Sequence, residues 1–220
     1  MTGHRNPAAG RTLALLAACV LALSASACSV LGGSKDAATI YAPDPRVPAD
    51  PAWPRVDRQL EIASPQAPRT LDSLRIAVRP APGEVQVYKG ARWATRPAEQ
   101  LQAALLSTLE DADRLRAVAR PGSGIAADYR LALELRRYEA DYAGRAVPDA
   151  VIEVNAKLLS LRDQRVLASR TFLQATPAAA TDVSHVADAF SASLTQVTRD
   201  VAGWVLGAAA QDGGTPAAGR

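Results

Sequence analysis

The sequence predicts an α+β fold, a mostly antiparallel sheet with two main amphipathic helices packed on one face. Three observations point there. Tyr129 to Arg136, Ile152 to Leu158 and Val166 to Gln174 are consecutive strand-like runs joined by short polar connections, the pattern of an antiparallel meander. Two other stretches space apolar residues three or four apart, as amphipathic helices do: Leu101 to Leu109, and Val183 to Trp204. Helices with one apolar stripe each need a sheet face to cover it.

In chain order, residues 1–27 read as an export signal. Arg5 and Arg11 precede an apolar stretch from Thr12 to Leu23, and the small residues Ser24, Ala25, Ser26 and Ala27 lead to Cys28. The stretch is shorter than the roughly 20 residues of a spanning helix, so removal is expected rather than anchoring. Ala25, Ser26 and Ala27 before Cys28 resemble the bacterial lipobox, in which the cysteine is acylated and becomes the first residue. The family pattern usually has Leu where Ala25 stands. A signal peptide cut nearby, with Cys28 a bystander, is the alternative.

Residues 28–58 read as a tether, because Pro43, Pro45, Pro48, Pro51 and Pro54 are too closely spaced for a helix or a central strand. The folded domain is expected over 59–207. Gln59 to Ile62 suggests a short strand. Leu74, Ile76 and Val78 alternate with Ser73, Arg75 and Ala77 in a half-buried strand, and Val85 to Tyr88 follows as another. Thr95, Arg96 and Pro97 open the first helix, with Thr95 as cap, proline in the first turn and Glu99 at the positive end of the dipole. Its stripe is Leu101, Leu105, Thr108 and Leu109. Arg116 to Ala119 reads as a short strand, and then comes the meander. The last helix spans about Asp182 to Gly207, with Val183, Val186, Phe190, Leu194, Val197, Val201 and Trp204 inward. Residues 208–220, small and polar, read as a disordered tail.

Composition excludes several classes of function. The whole chain has 25 basic and 22 acidic residues, a net of +3. Without Arg5 and Arg11, cleavage before Cys28 leaves 23 basic residues against 22 acidic, a net of +1. No broad basic field remains for nucleic acid, and the aromatics are few and scattered. The processed chain keeps one histidine, His185, and no cysteine after Cys28, so no zinc site of the usual ligand sets can be assembled and no metal is expected.

No catalytic residues are expected either. A serine nucleophile needs an adjacent base and an orienting partner. His185 has Asp182 and Asp188 at helical spacing and Ser184 beside it, but successive helical residues point about 100° apart, so Ser184 would face away. A solvated first turn with Asp182 as cap is the plainer reading. Glu110, Asp111 and Asp113 sit at a helix end near Arg114 and Arg116, where surface ion pairing explains them. "PGSG" lacks the lysine and the following helix of a phosphate cradle. Among the aromatics, Trp204 lies on the apolar helix stripe and reads as core. Trp93, in "YKGARWATRP" with Tyr88 and Arg92, reads equally as core or as part of a partner interface.

"SASAC", "LDSLRIAV", "YKGARWATRPAEQLQAALLSTLED", "ADYRLALELRRYEA", "VLASRTF" and "VADAFSASLTQVTRDVAGWVL" together give the chain a recognisable layout. It resembles the ABC-type transport auxiliary lipoprotein family, which accompanies permeases, ATPases and MCE-domain proteins in bacterial inter-membrane lipid transport. Family members tend to start a strand at a tyrosine soon after the cysteine, which would be Ile40 and Tyr41 here, but "APDPRVPADPAWP" follows at once.

The resemblance implies a non-catalytic lipoprotein facing the periplasm. Diacylglycerol and acyl chains on Cys28 would anchor it, and no other cofactor is implied. An MCE-domain protein and an ABC permease and ATPase would be its partners, with a homo-oligomer also open. Ser29 after Cys28, where aspartate would favour the inner membrane, implies the outer membrane. The alternative is a periplasmic lipid-binding carrier whose sheet and helices open an apolar pocket.

Overall fold

The computed structural model describes residues 38–213. Its elements are β1 (Thr39–Tyr41), β2 (Val56–Ile62), β3 (Arg75–Arg79), β4 (Gln86–Trp93), α1 (Pro97–Asp111), β5 (Leu115–Ala119), β6 (Tyr129–Asp141), β7 (Asp149–Ser160), β8 (Val166–Pro177) and α2 (Val183–Gly213). The α+β class and the meander β6–β7–β8 are as expected.

β6 organises the sheet. Tyr129, Leu131, Leu133 and Leu135 point into the core by simple alternation. A bulge between Leu135 and Arg137 then shifts the phase, so that Tyr138 and Ala140 take over the inner face. The alternation visible in the sequence stops at Arg136 for this reason, although the strand continues to Asp141. One edge of β6 pairs along its length with β7. The other is divided between β2, at Tyr129 to Leu131, and β3, at Ala140 and Asp141.

The sheet is mixed rather than mostly antiparallel. β3–β4, β6–β7 and β7–β8 are antiparallel, whereas β1–β4, β2–β5, β2–β6 and β3–β6 are parallel. Short connections force the meander to be antiparallel. The parallel partners lie far apart in the chain, where local periodicity carries no information about pairing.

Both helices pack on the inner face and touch each other, sharing a core with Ala150, Ile152, Val154, Ala156 and Leu158 of β7. Leu101, Leu105, Thr108 and Leu109 of α1 are buried as the stripe predicts. The expected Thr95 cap is replaced by another contact: Arg96 occupies the cap position without a side-chain bond, and the Gln100 amide donates to the Thr95 carbonyl at 2.7 Å.

Two expected boundaries move. The tether to residue 58 gives way to folded structure at Thr39, where β1 pairs with β4, and Trp53 and Val56 belong to the core. Prolines exclude helix from this segment but allow an extended strap, which an Asp50 turn and Pro51 and Pro54 hold in place around Trp53. From 208, where the tail is expected to begin, α2 continues to Gly213. The expected signal peptide over 1–27, Cys28 and residues 214–220 lie outside the described residues.

Candidate interaction surface

The segment from Tyr88 to Trp93 does not form one patch. Trp93 is 1% exposed and meets Phe190 edge-on at 5.2 Å and Tyr138 edge-on at 5.8 Å, while those two rings stack at 4.8 Å. Three aromatic rings in these geometries form the centre of the core, so Trp93 is not an interface residue. The Tyr138 hydroxyl donates to Gln100 Oε1 at 2.7 Å, and burial raises its pKa. Tyr88 is half-buried with its hydroxyl oxygen enclosed; burial, followed by the neighbouring Tyr142, raises its pKa. Of Tyr88, Arg92 and Trp93, Arg92 alone is exposed. It lies on the outer sheet face beside Ile40 and Arg75, its cross-strand partners.

On the outer face of the sheet a buried carboxylate fastens two strands together. Glu139 is buried and accepts from Arg79 through both carboxylate oxygens, at 2.9 and 3.0 Å, and from Arg137 at 2.7 Å. Arg137 also pairs with Asp141. The hydrogen bond to Glu139 is the largest influence raising the Arg79 pKa. Because Arg79 and Glu139 sit on β3 and β6, the bidentate pair holds the parallel junction of the two strands.

β8 forms a free edge. It pairs with β7 and with no other strand among the described residues. Leu173 is 62% exposed and Val166 is also exposed. On the inner side of this edge the Arg170 guanidinium lies 5.0 Å from the Phe172 ring centroid, and Phe172 meets Trp204 of α2 edge-on at 5.7 Å. Trp204 therefore packs against the core, as its helical position predicts. The edge was missed from sequence, although adjacent Phe172 and Leu173 break the alternation and place one apolar side chain on each face.

Catalytic geometry is absent around His185. Asp182 accepts from the His185 backbone N–H at 3.3 Å and contacts His185 Nδ1 at 2.6 Å, while the Ser184 hydroxyl also donates to Asp182. Those bonds, Ser184's first, hold the Asp182 carboxyl well below its ordinary range. The carboxylate stands between serine and imidazole, so His185 cannot take the serine proton as a triad base does. Among the described residues no group of His, Cys, Asp or Glu could hold a metal ion. Asp113, one of the paired carboxylates, contacts Arg55 at 3.4 Å.

A carrier pocket between sheet and helices would occupy the place filled by Trp93, Tyr138 and Phe190. A cavity of about 410 Å³ lies elsewhere, between the strap and α1, lined by Asp44, Arg46, Val47, Ser107 and Asp111 among others. Charged groups on its wall do not suit an acyl chain.

The family model of the ABC-type transport auxiliary lipoprotein component matches residues 39–202. The chain belongs to this family. Its match starts with β1 and includes all eight strands. Protein XCC0632 from Xanthomonas campestris is 52% identical in sequence to this auxiliary lipoprotein, with a TM-score of 0.79 over 81% of this chain and 100% of that one. Hypothetical protein CT253 from Chlamydia trachomatis shares the fold at 9% identity and a TM-score of 0.51, over 70% of this chain and 99% of that one. No curated protein matches. Among the described residues no helix is long and apolar enough to cross a membrane.

Proposed function

We propose that this auxiliary lipoprotein is a non-catalytic docking component of an ABC-type, MCE-linked lipid transport system. Diacylglycerol and acyl chains on Cys28 tether it to the periplasmic face of the outer membrane, and its folded domain engages the MCE-domain protein through the free edge of β8. The family assignment carries the transport role. The free edge supports the docking role, because its unpaired backbone groups and exposed Leu173 suit an added strand from a partner. Several acyl chains make the anchor effectively permanent, at about 0.8 kcal/mol for each buried methylene.

Palmitate labelling and affinity purification from membranes test both parts. The wild type is expected to incorporate label and recover an MCE-domain protein with the permease, whereas Cys28→Ala incorporates none. Recovery of no transporter component by the labelled wild type would refute the docking role.

A further inference from the structure

Away from β8 the sheet ends in β1 and in β5, and the β1 end carries a different kind of surface. β1 and β4 close that end, and their outer face exposes Ile40 and Val87, at 54% and 40%, with Val85 exposed at 46% immediately before β4. Strand register places Ile40 beside Arg92 and Arg92 beside Arg75, while Val87 pairs with Ala77 two residues along β3. Ile40, Arg75, Val87 and Arg92 therefore share one face. Lys89 follows Val87 by one strand period, before Gly90 at φ +66° bulges β4. Arg75, Lys89 and Arg92 are exposed and form no salt bridge among the described residues. Glu84 is the acidic residue beside Val85 in sequence.

An anchor at Cys28 would keep this surface near the membrane. Nine residues lie between Cys28 and Ala38, ten Cα–Cα steps in all, and the described structure begins at Ala38, immediately before β1. Fully extended, ten such steps span at most about 36 Å. A domain of this size is on the order of 40 Å across, from the usual scaling of the radius of gyration with length. The strap cannot lengthen the reach, because β1 is hydrogen-bonded to β4 and Trp53 is packed on α2. With Cys28 in the bilayer, the β1 end is the near end.

We propose that Ile40, Val85 and Val87, with Arg75, Lys89 and Arg92 around them, form a membrane-docking face that rests on the anionic phospholipid surface holding the Cys28 anchor. The valines and isoleucine enter the headgroup boundary, and the long basic side chains reach lipid phosphates from beside them. The docked domain then presents β8, at the far edge of the sheet, away from the bilayer. This proposal rests on acylation of Cys28.

The test uses the acylated full-length protein in vesicles of phosphatidylethanolamine and phosphatidylglycerol. Acylation consumes the Cys28 thiol and Cys19 leaves with the signal, so Ile40→Cys, Val87→Cys and Leu173→Cys each provide one site for a fluorophore. Doxyl-labelled lipid is expected to quench positions 40 and 87 several-fold more than position 173. Protein that floats with the vesicles but is quenched equally at all three sites overturns the docking face and leaves the anchor standing. Protein that fails to float overturns both. Shielding of position 87 from aqueous iodide without quenching by doxyl lipid identifies a protein cover and overturns the lipid face.

Discussion

Gly203 lies inside α2, and a Cβ added there would come within 2.8 Å of Trp53 Nε1 and 3.5 Å of two more indole atoms. In an ordinary helix interior, Gly→Ala stabilises by about 1 kcal/mol. Forcing a methyl into a packed contact costs about 1–3 kcal/mol. Gly203→Ala should therefore destabilise the wild type by about 1 kcal/mol, near 3 °C in Tm for a domain of this size. In a Trp53→Ala background the obstruction is gone, and the same change should stabilise by about 1 kcal/mol. The coupling of about 2 kcal/mol lies within the range for residues in contact. Gly207 has nothing within 4 Å of its virtual Cβ, so Gly207→Ala should stabilise in both backgrounds. Urea unfolding followed by circular dichroism measures all of these. If Gly203→Ala stabilises the wild type as much as Gly207→Ala does, Trp53 does not sit on α2 and the strap is not part of the fold.

Three further outcomes follow from the same structure. Trp93→Ala should cost about 3–5 kcal/mol in urea unfolding, whereas Arg92→Ala should stay within about 0.5 kcal/mol; equal, small effects would place Trp93 at the surface. Glu139→Ala leaves Arg79 and Arg137 facing a vacated site and should cost about 3 kcal/mol, against less than about 1 kcal/mol for Glu153→Ala, whose carboxylate is 3.9 Å from Arg136. The Asp182 carboxyl titrates below its ordinary value of 3.8 in the folded state, so acid protonates it first in the unfolded chain. Its contribution is therefore complete at neutral pH and is lost as pH falls through the folded value. Wild type and Asp182→Asn should converge in urea midpoint only in that acidic window, and a constant difference across all pH would refute the assignment.

The legible elements were those whose pattern is complete within one segment. Leu101, Leu105 and Leu109 spell out α1, and the alternation from Tyr129 to Leu135 spells out half of β6. The other half was hidden by the bulge at Arg136, where two successive residues break the period. The strap was misread because proline spacing excludes helix without revealing whether a segment packs. Burial of Trp53 depends on the absence of a side chain at Gly203, some 150 residues away. The choice between core and interface at Trp93 was open for a similar reason: Trp93 sits in a polar segment, yet its ring reaches Tyr138 and Phe190 from elements distant in sequence. Neither the free β8 edge nor the basic and apolar face at β1 and β4 is a local pattern, since both depend on which strands have no further partner.

Photo-cross-linking in cells tests docking through β8 most directly. A photoreactive residue replacing Leu173, with a second at exposed Asp188 on α2 as control, is activated in cells expressing the whole transport system. A covalent adduct with the MCE-domain protein is expected from position 173 and none from 188. An adduct from 188 with none from 173 would contradict it.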